Sequence, residues 1–91
     1  MIEVLNKHFH DCRFAVDITR GTPYGNPFVV GKDGTRQECV DWFREYAEWR
    51  LTKQPHWLRP LRGVKKIKCV CAPQPCHGDV IAELVERLYG T

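Results

Sequence analysis

The feature that most restricts the fold is the passage from an alternating segment, through a proline-punctuated turn, into an amphipathic one between residues 64 and 90. From Val64 to Cys71 the residues alternate. Ile67, Cys69 and Cys71 share one side, and Lys66, Lys68 and Val70 the other, which is the period of a β-strand. Pro73 and Pro75 end the strand, because proline has no N–H to give to a ladder. Beyond Asp79, Val80, Ile81, Leu84, Val85 and Leu88 recur at helical spacing, and Gly90 stands where helices take a left-handed terminal residue. A strand that hands over directly to a helix must bury the apolar side of both, and an α/β architecture does this.

The first half of the chain repeats the pattern. Ile2, Val4 and Leu5 suggest a short strand, and Phe14-Ala15-Val16-Asp17-Ile18 alternates as a second. A loop follows, then a short apolar run at Phe28-Val29-Val30 that suggests a further strand closed by the Gly31-Lys32-Asp33-Gly34 turn. Thr35 and Glu38 have the spacing of a capping box. Val40, Phe43, Ala47 and Leu51 then form a helical stripe that Pro55 ends. The prediction is a single α/β domain over residues 1–91, with a small Rossmann-like sheet of about 3–4 mostly parallel strands. Its helices lie at about 36–53 and 78–89.

On the first helix Trp42 and Trp49 fall nearly opposite the Val40–Ala47–Leu51 stripe at ~100° per residue. Apolar groups on two sides of a helix mean burial on both sides or a partner surface, either a homodimer seam or a host-protein contact. Cys39 and Tyr46 lie toward the core side and are read as packing.

Composition narrows the setting. Five cysteines, an odd number, argue against a secreted disulfide framework, and clustered cysteines in a reducing compartment point to metal, catalytic or redox work. No apolar run is long enough to span a membrane, and residues 1–20 carry no signal-peptide core, so a cytoplasmic location is expected. A net charge of +3 is compatible with nucleotide or nucleic-acid partners.

Two stretches concentrate chemistry. The loop Arg20-Gly21-Thr22-Pro23-Tyr24-Gly25-Asn26-Pro27-Phe28 is too rich in glycine and proline for regular structure. Its backbone suits close approach to a ligand, with the Arg20 guanidinium and Thr22 hydroxyl suited to phosphate. The second stretch, residues 69–79, holds Cys69, Cys71, Cys76 and His77 at the strand-to-helix turn. Three readings stand for it. Cys76 or Cys71 is a thiolate, favoured by the helix N-terminus and assisted by His77. Alternatively, Cys69, Cys71, Cys76 and His77 gather zinc, with Cys12, His8 or His10 as substitutes. In the third reading the cysteines pack as small apolar groups and the Cys76–His77 pair caps the helix.

These motifs together carry a resemblance. The R-G-[ST]-x-x-G-N-P-F loop, the Gly34-Thr35-Arg36 helix start and the C-x-C-A-P-x-P-C-H-G-D turn resemble those of a small uncharacterised domain family of bacteria and their phages. The likeness spans about residues 14–89. It implies a compact α/β domain and directs attention to Arg20, Gly25, Asn26, Arg36, Cys71, Cys76, His77 and Asp79. Asp79 reads equally as a helix cap.

The expected function is binding of a nucleotide or similar phosphorylated ligand. Arg20, Gly21, Thr22, Gly25, Asn26, Arg36 and Asp79 would hold it, and Cys71, Cys76 and His77 would act as the reactive or orienting groups of a thiol-dependent transferase or hydrolase. The alternative is a non-catalytic module, zinc-stabilised or not, that binds a host protein or nucleic acid through Trp42 and Trp49 or the Lys65, Lys66 and Lys68 strand. Both expectations require the two distant stretches, or the helix surface, to come together in space.

Overall fold

The computed structural model describes residues 2–7, 15–19, 21–70, 74 and 76–90. Three strands, β1 (Glu3–Asn6), β2 (Val16–Asp17) and β3 (Lys66–Cys69), form one parallel sheet in the order β1-β3-β2. The last strand in sequence is therefore the central one. Val4 and Val16 both stand beside Ile67, so these three share a face. Ile67 and Cys69 are fully buried there, while Lys66 on the opposite face is exposed. The alternation read from the sequence sets this orientation, since a one-residue slip would put the lysines into the core.

Two helices complete the fold, α1 (Arg36–Lys53) and α2 (His77–Tyr89). The start of α2 lies directly on the apolar face of the sheet. A β-carbon at Gly78 would stand 2.9 Å from Ile18 Cδ1 and 3.0 Å from Val4 Cγ1. Val80, Ile81, Ala82, Leu84 and Val85 are buried, so α2 loses solvent on most sides. Helix α1 packs against α2, contributing Val40, Phe43 and Ala47 to the same core. Arg44 pairs with Glu83, and Arg87 with Glu48 at 2.7 Å, across the outer edge of the helix pair. Exposed pairs of this kind add little stability, and the buried aliphatic side chains hold the helices together.

Helix α1 spans the residues its pattern predicts. The Thr35 hydroxyl accepts from the Glu38 amide at 3.2 Å, and the Glu38 carboxylate accepts from the Thr35 amide at 3.0 Å, which completes the capping box. Helix α2 begins one residue earlier than expected, at His77, and ends at Gly90 with φ 69°. Between α1 and β3 the chain turns through a 3₁₀ segment, Arg59–Leu61, that buries Trp57, Leu58 and Leu61.

Two expectations change. Residues 28–30 are not a strand: Val30 makes only an isolated bridge to Gly34, four residues on, because Lys32 and Asp33 turn back onto the Val29 carbonyl. The proposed strand at 14–18 is regular only at Val16–Asp17, with Phe14 outside the described residues. Among the described residues, no helix is long and apolar enough to cross a membrane.

Candidate functional site

Parallel pairing brings the carboxyl ends of β2 and β3 side by side, and both helices begin near that edge. A cavity of about 330 Å³ opens there. Thr19 follows β2, and Cys69 and Val70 close β3. Arg36, Cys39 and Val40 come from the first turns of α1, Cys76 and His77 from the start of α2, and Asn26, Phe28 and Val30 from the loop. The two chemistry-bearing stretches thus meet in one pocket, far apart though they are in sequence.

The floor is made by sulfur. Cys69 and Cys76 are buried with their Sγ atoms 3.4 Å apart. The expected thiolate at the helix N-terminus is not what this arrangement favours. The Cys69 thiol and burial both push the Cys76 pKa up, while the Gly78 amide pulls only weakly the other way. Burial also raises the Cys39 thiol. The Cys76 and Cys39 thiols are thereby held toward their neutral form. The helix-dipole argument fails because a second neutral thiol and the loss of water outweigh one helix end.

His77 turns away from the thiol beside it. Its Nε2 lies 2.7 Å from the Ile18 carbonyl, and since a carbonyl only accepts, Nε2 carries the proton. The ring also stands edge-on to Phe43 at 5.1 Å. The imidazole therefore fastens α2 to the end of β2 and presents a side to the cavity. Asp79, in the first turn of α2, accepts from the amide of the N-cap residue Cys76 at 3.2 Å, so its carboxylate helps to cap the helix.

The glycine-rich loop holds itself. The Thr22 amide and hydroxyl both donate to the Thr19 carbonyl, at 3.1 and 2.7 Å, and the Gly25 amide donates to the Thr22 carbonyl at 3.1 Å. Gly21 sits at φ 94°, a conformation glycine adopts without strain. Gly21, Thr22 and Gly25 do not line the cavity, because their backbone turns inward on itself instead of cradling an anion. Asn26 does line it, as a brace. Its Oδ1 accepts from the Phe28 amide at 2.9 Å and its Nδ2 donates to the Cys39 carbonyl at 3.3 Å, which sets the Phe28 ring against the first turn of α1. Asn6 anchors the other rim by donating to the Val70 carbonyl at 3.2 Å.

Arg36 is half-buried at the cavity and makes no ion pair among the described residues. Asp17 fixes Thr19: its Oδ1 accepts from the Thr19 amide at 2.8 Å and hydroxyl at 2.5 Å. Those bonds hold the Asp17 carboxyl below its ordinary pKa, with Lys7 3.7 Å away as a lesser cause. Thr19, Phe28, Val30, Cys39, Val40 and Val70 also line the cavity, beyond the residues the sequence points to. Only Phe28, inside the loop motif, and Val70, inside the cysteine–histidine motif, carry a sequence signal. The others are residues after a strand, in a turn or in a helix that the packing gathers.

Arg20, Cys71, Cys12, His8 and His10 lie outside the described residues. Among the described residues no three His, Cys, Asp or Glu side chains converge as metal donors. Cys69, Cys76 and His77 thus form no such group, and His77 points its donor to Ile18.

A family model matches residues 5–87. The chain belongs to the DUF4326 family, described as a domain of unknown function. This DUF4326 domain is 42% identical over 95 residues to a protein of Enterobacteria phage T4, described as an uncharacterized 12.4 kDa protein in the nrdA-td intergenic region. The match covers 98% of this chain and 82% of the phage protein. The small uncharacterised family with a phage connection, suggested by the motifs, is thereby established. No solved structure matches the DUF4326 domain.

Proposed function

We propose that this DUF4326 domain binds a nucleotide or a similar phosphorylated small molecule in the cavity at the carboxyl edge of its sheet. The observation that carries this reading is the Arg36 guanidinium, without an ion pair among the described residues, on an otherwise largely apolar cavity. A cation without a counter-ion among the described residues, in a cavity that Phe28 also lines, suits a ligand with one planar, apolar part and one anionic part. Placement supports the same reading. Open parallel sheets take ligands outside the carboxyl ends of their strands, and the sheet is read as a minimal Rossmann-like unit on that ground. Two helix N-termini at the same edge favour negative charge. At about 330 Å³ the cavity is at the small end for ligand sites, which favours a mononucleotide over a dinucleotide.

The raised Cys76 pKa argues for recognition over thiolate catalysis through Cys76. The test is a melting-temperature series against nucleoside monophosphates, nucleosides and inorganic phosphate. A ligand at a hundred times its Kd adds ~2.7 kcal/mol, or about 10 °C or more in a domain of this size. Monophosphates are expected to shift the transition more than nucleoside or phosphate alone, and Arg36→Gln to remove most of that shift. No response to any phosphorylated compound would sink the proposal.

A further inference from the structure

A second concavity, of about 570 Å³, lies on the outer side of α1, away from the sulfur floor, and its chemistry is the reverse of the first. Phe28, Trp42, Tyr46 and Trp49 supply four aromatic rings, and Asp33 and Glu45 supply two carboxylates. Among the described residues no lysine or arginine lines it. Trp42, Glu45, Tyr46 and Trp49 follow one another at helical spacing, so a single stripe of α1 presents ring, acid, ring, ring.

The groove is built by close packing. Gly34 lies flat against the Trp42 indole, where an added β-carbon would come within 3.0 Å of two ring atoms. Trp42 tilts against Phe28 with centroids 5.7 Å apart, and Tyr46 against Trp49 at 6.3 Å. Asp33 is fixed at the rim, one carboxylate oxygen accepting from the Val29 amide at 2.8 Å. Arg50, on the same helix, reaches the edge of the groove at the Tyr46 hydroxyl and is held there by contacts of its own. It stacks over Trp57 at 4.5 Å and donates to the Pro23 carbonyl and the Tyr46 hydroxyl. Trp49 remains 57% exposed, a large ring left in water on an 18-residue helix whose other side is core.

We propose that this groove docks a basic segment of a partner protein, a lysine or arginine side chain lying among the indoles with Glu45 and Asp33 as its counter-ions. Aromatic faces attract cations, and carboxylates at the rim select them over neutral apolar groups. The occupant is specified by charge. The whole chain carries +3, so general electrostatics repel a basic peptide, and attraction has to come from this local acidic-aromatic patch. The site is distinct from the Arg36 cavity, although Phe28 forms a wall of both, and its test is independent of nucleotide binding.

The experiment titrates the full chain by calorimetry with a capped hexapeptide of alternating lysine and arginine, and with its neutral twin of norleucine and citrulline. The cationic peptide is expected to bind about ten-fold or more tightly than the twin. Trp49→Ala and Glu45→Gln, both at exposed positions, should each weaken it about two- to five-fold with the melting temperature unchanged. Arg36→Gln should leave peptide binding as in the wild type. Equal affinity for the twin, no binding of either peptide, or wild-type affinity in both groove variants overturns the proposal. Concentration-dependent dimerisation abolished by Trp49→Ala also overturns it, since the occupant is then a second copy of the chain.

Discussion

Asp17 and Cys76 show how a neighbour two to seven residues away decides a side chain's chemistry. Asp17 has its carboxyl held below 3.8 by the Thr19 hydroxyl and amide, so the folded state binds its proton less readily than the unfolded state. The stability this gives is fully present above the ordinary carboxylate value and is lost as pH falls through the lowered one. Asp17→Asn should therefore destabilise the domain at pH 6 by up to about 1 kcal/mol, a small figure because the side chain is well solvated. The gap from wild type should narrow between pH 6 and an acid pH below the ordinary carboxylate range. Urea midpoints at the two pH values check this, and a gap that persists at low pH assigns the effect to something other than the charge. Cys76 teaches the converse. Its position at a helix start argues for a reactive thiolate, yet Cys69 Sγ at 3.4 Å and the loss of water favour the neutral thiol.

At the scale of elements, the decisive contact is where α2 meets the sheet. Gly78 lets the helix approach until Ile18 and Val4 touch its backbone, with Cys76 Sγ 3.2 Å from where a β-carbon would sit. Alanine at this position gains helix propensity of at most ~1 kcal/mol but must displace two side chains, Val4 in β1 and Ile18 just after β2, an overpacking cost of ~1–3 kcal/mol. Gly78→Ala is expected to lower the melting temperature by several degrees, at about 4–8 °C per kcal/mol for a domain of this size. A rise would show that the sheet yields freely. Both helices were legible beforehand because capping, periodicity and termination are local. Thr35 and Glu38 bond each other three residues apart, and Gly90 needs only its own φ. The strand proposed at 28–30 was not legible as a turn, because the Val29 carbonyl is claimed by Lys32 and Asp33 and a strand pattern of three residues cannot reveal that.

Across the whole molecule, the glycine-rich loop is tied down from the far side of the chain. The Trp57 indole donates to the Pro23 carbonyl at 3.0 Å, and Arg50 donates to the same oxygen at 3.1 Å while stacking on the indole at 4.5 Å. The connector after α1 thereby sets where residues 21–28 lie, and with them Phe28, the partition between the two concavities. Trp57→Phe removes the donor and part of a buried ring, at a cost of ~1–3 kcal/mol. Hydrogen exchange should accelerate at the hydrogen-bonded amides of Tyr24, Gly25 and Phe28 well before those of α2 respond. Uniform acceleration throughout would mean that Trp57 supports the core alone and does not position the loop.

The amino-acid sequence by itself determined the class of fold, the extent of both helices, the buried side of β3 and the two stretches that meet at its edge. Each follows from periodicity or from bonds between residues a few positions apart. Only the tertiary structure decided that β3 lies between β1 and β2, that Arg36 and Phe28 reach the same cavity as Cys69 and His77, and that the loop glycines do not. Those outcomes depend on which distant groups lose water together, and nothing in the order of residues along the chain states that distance.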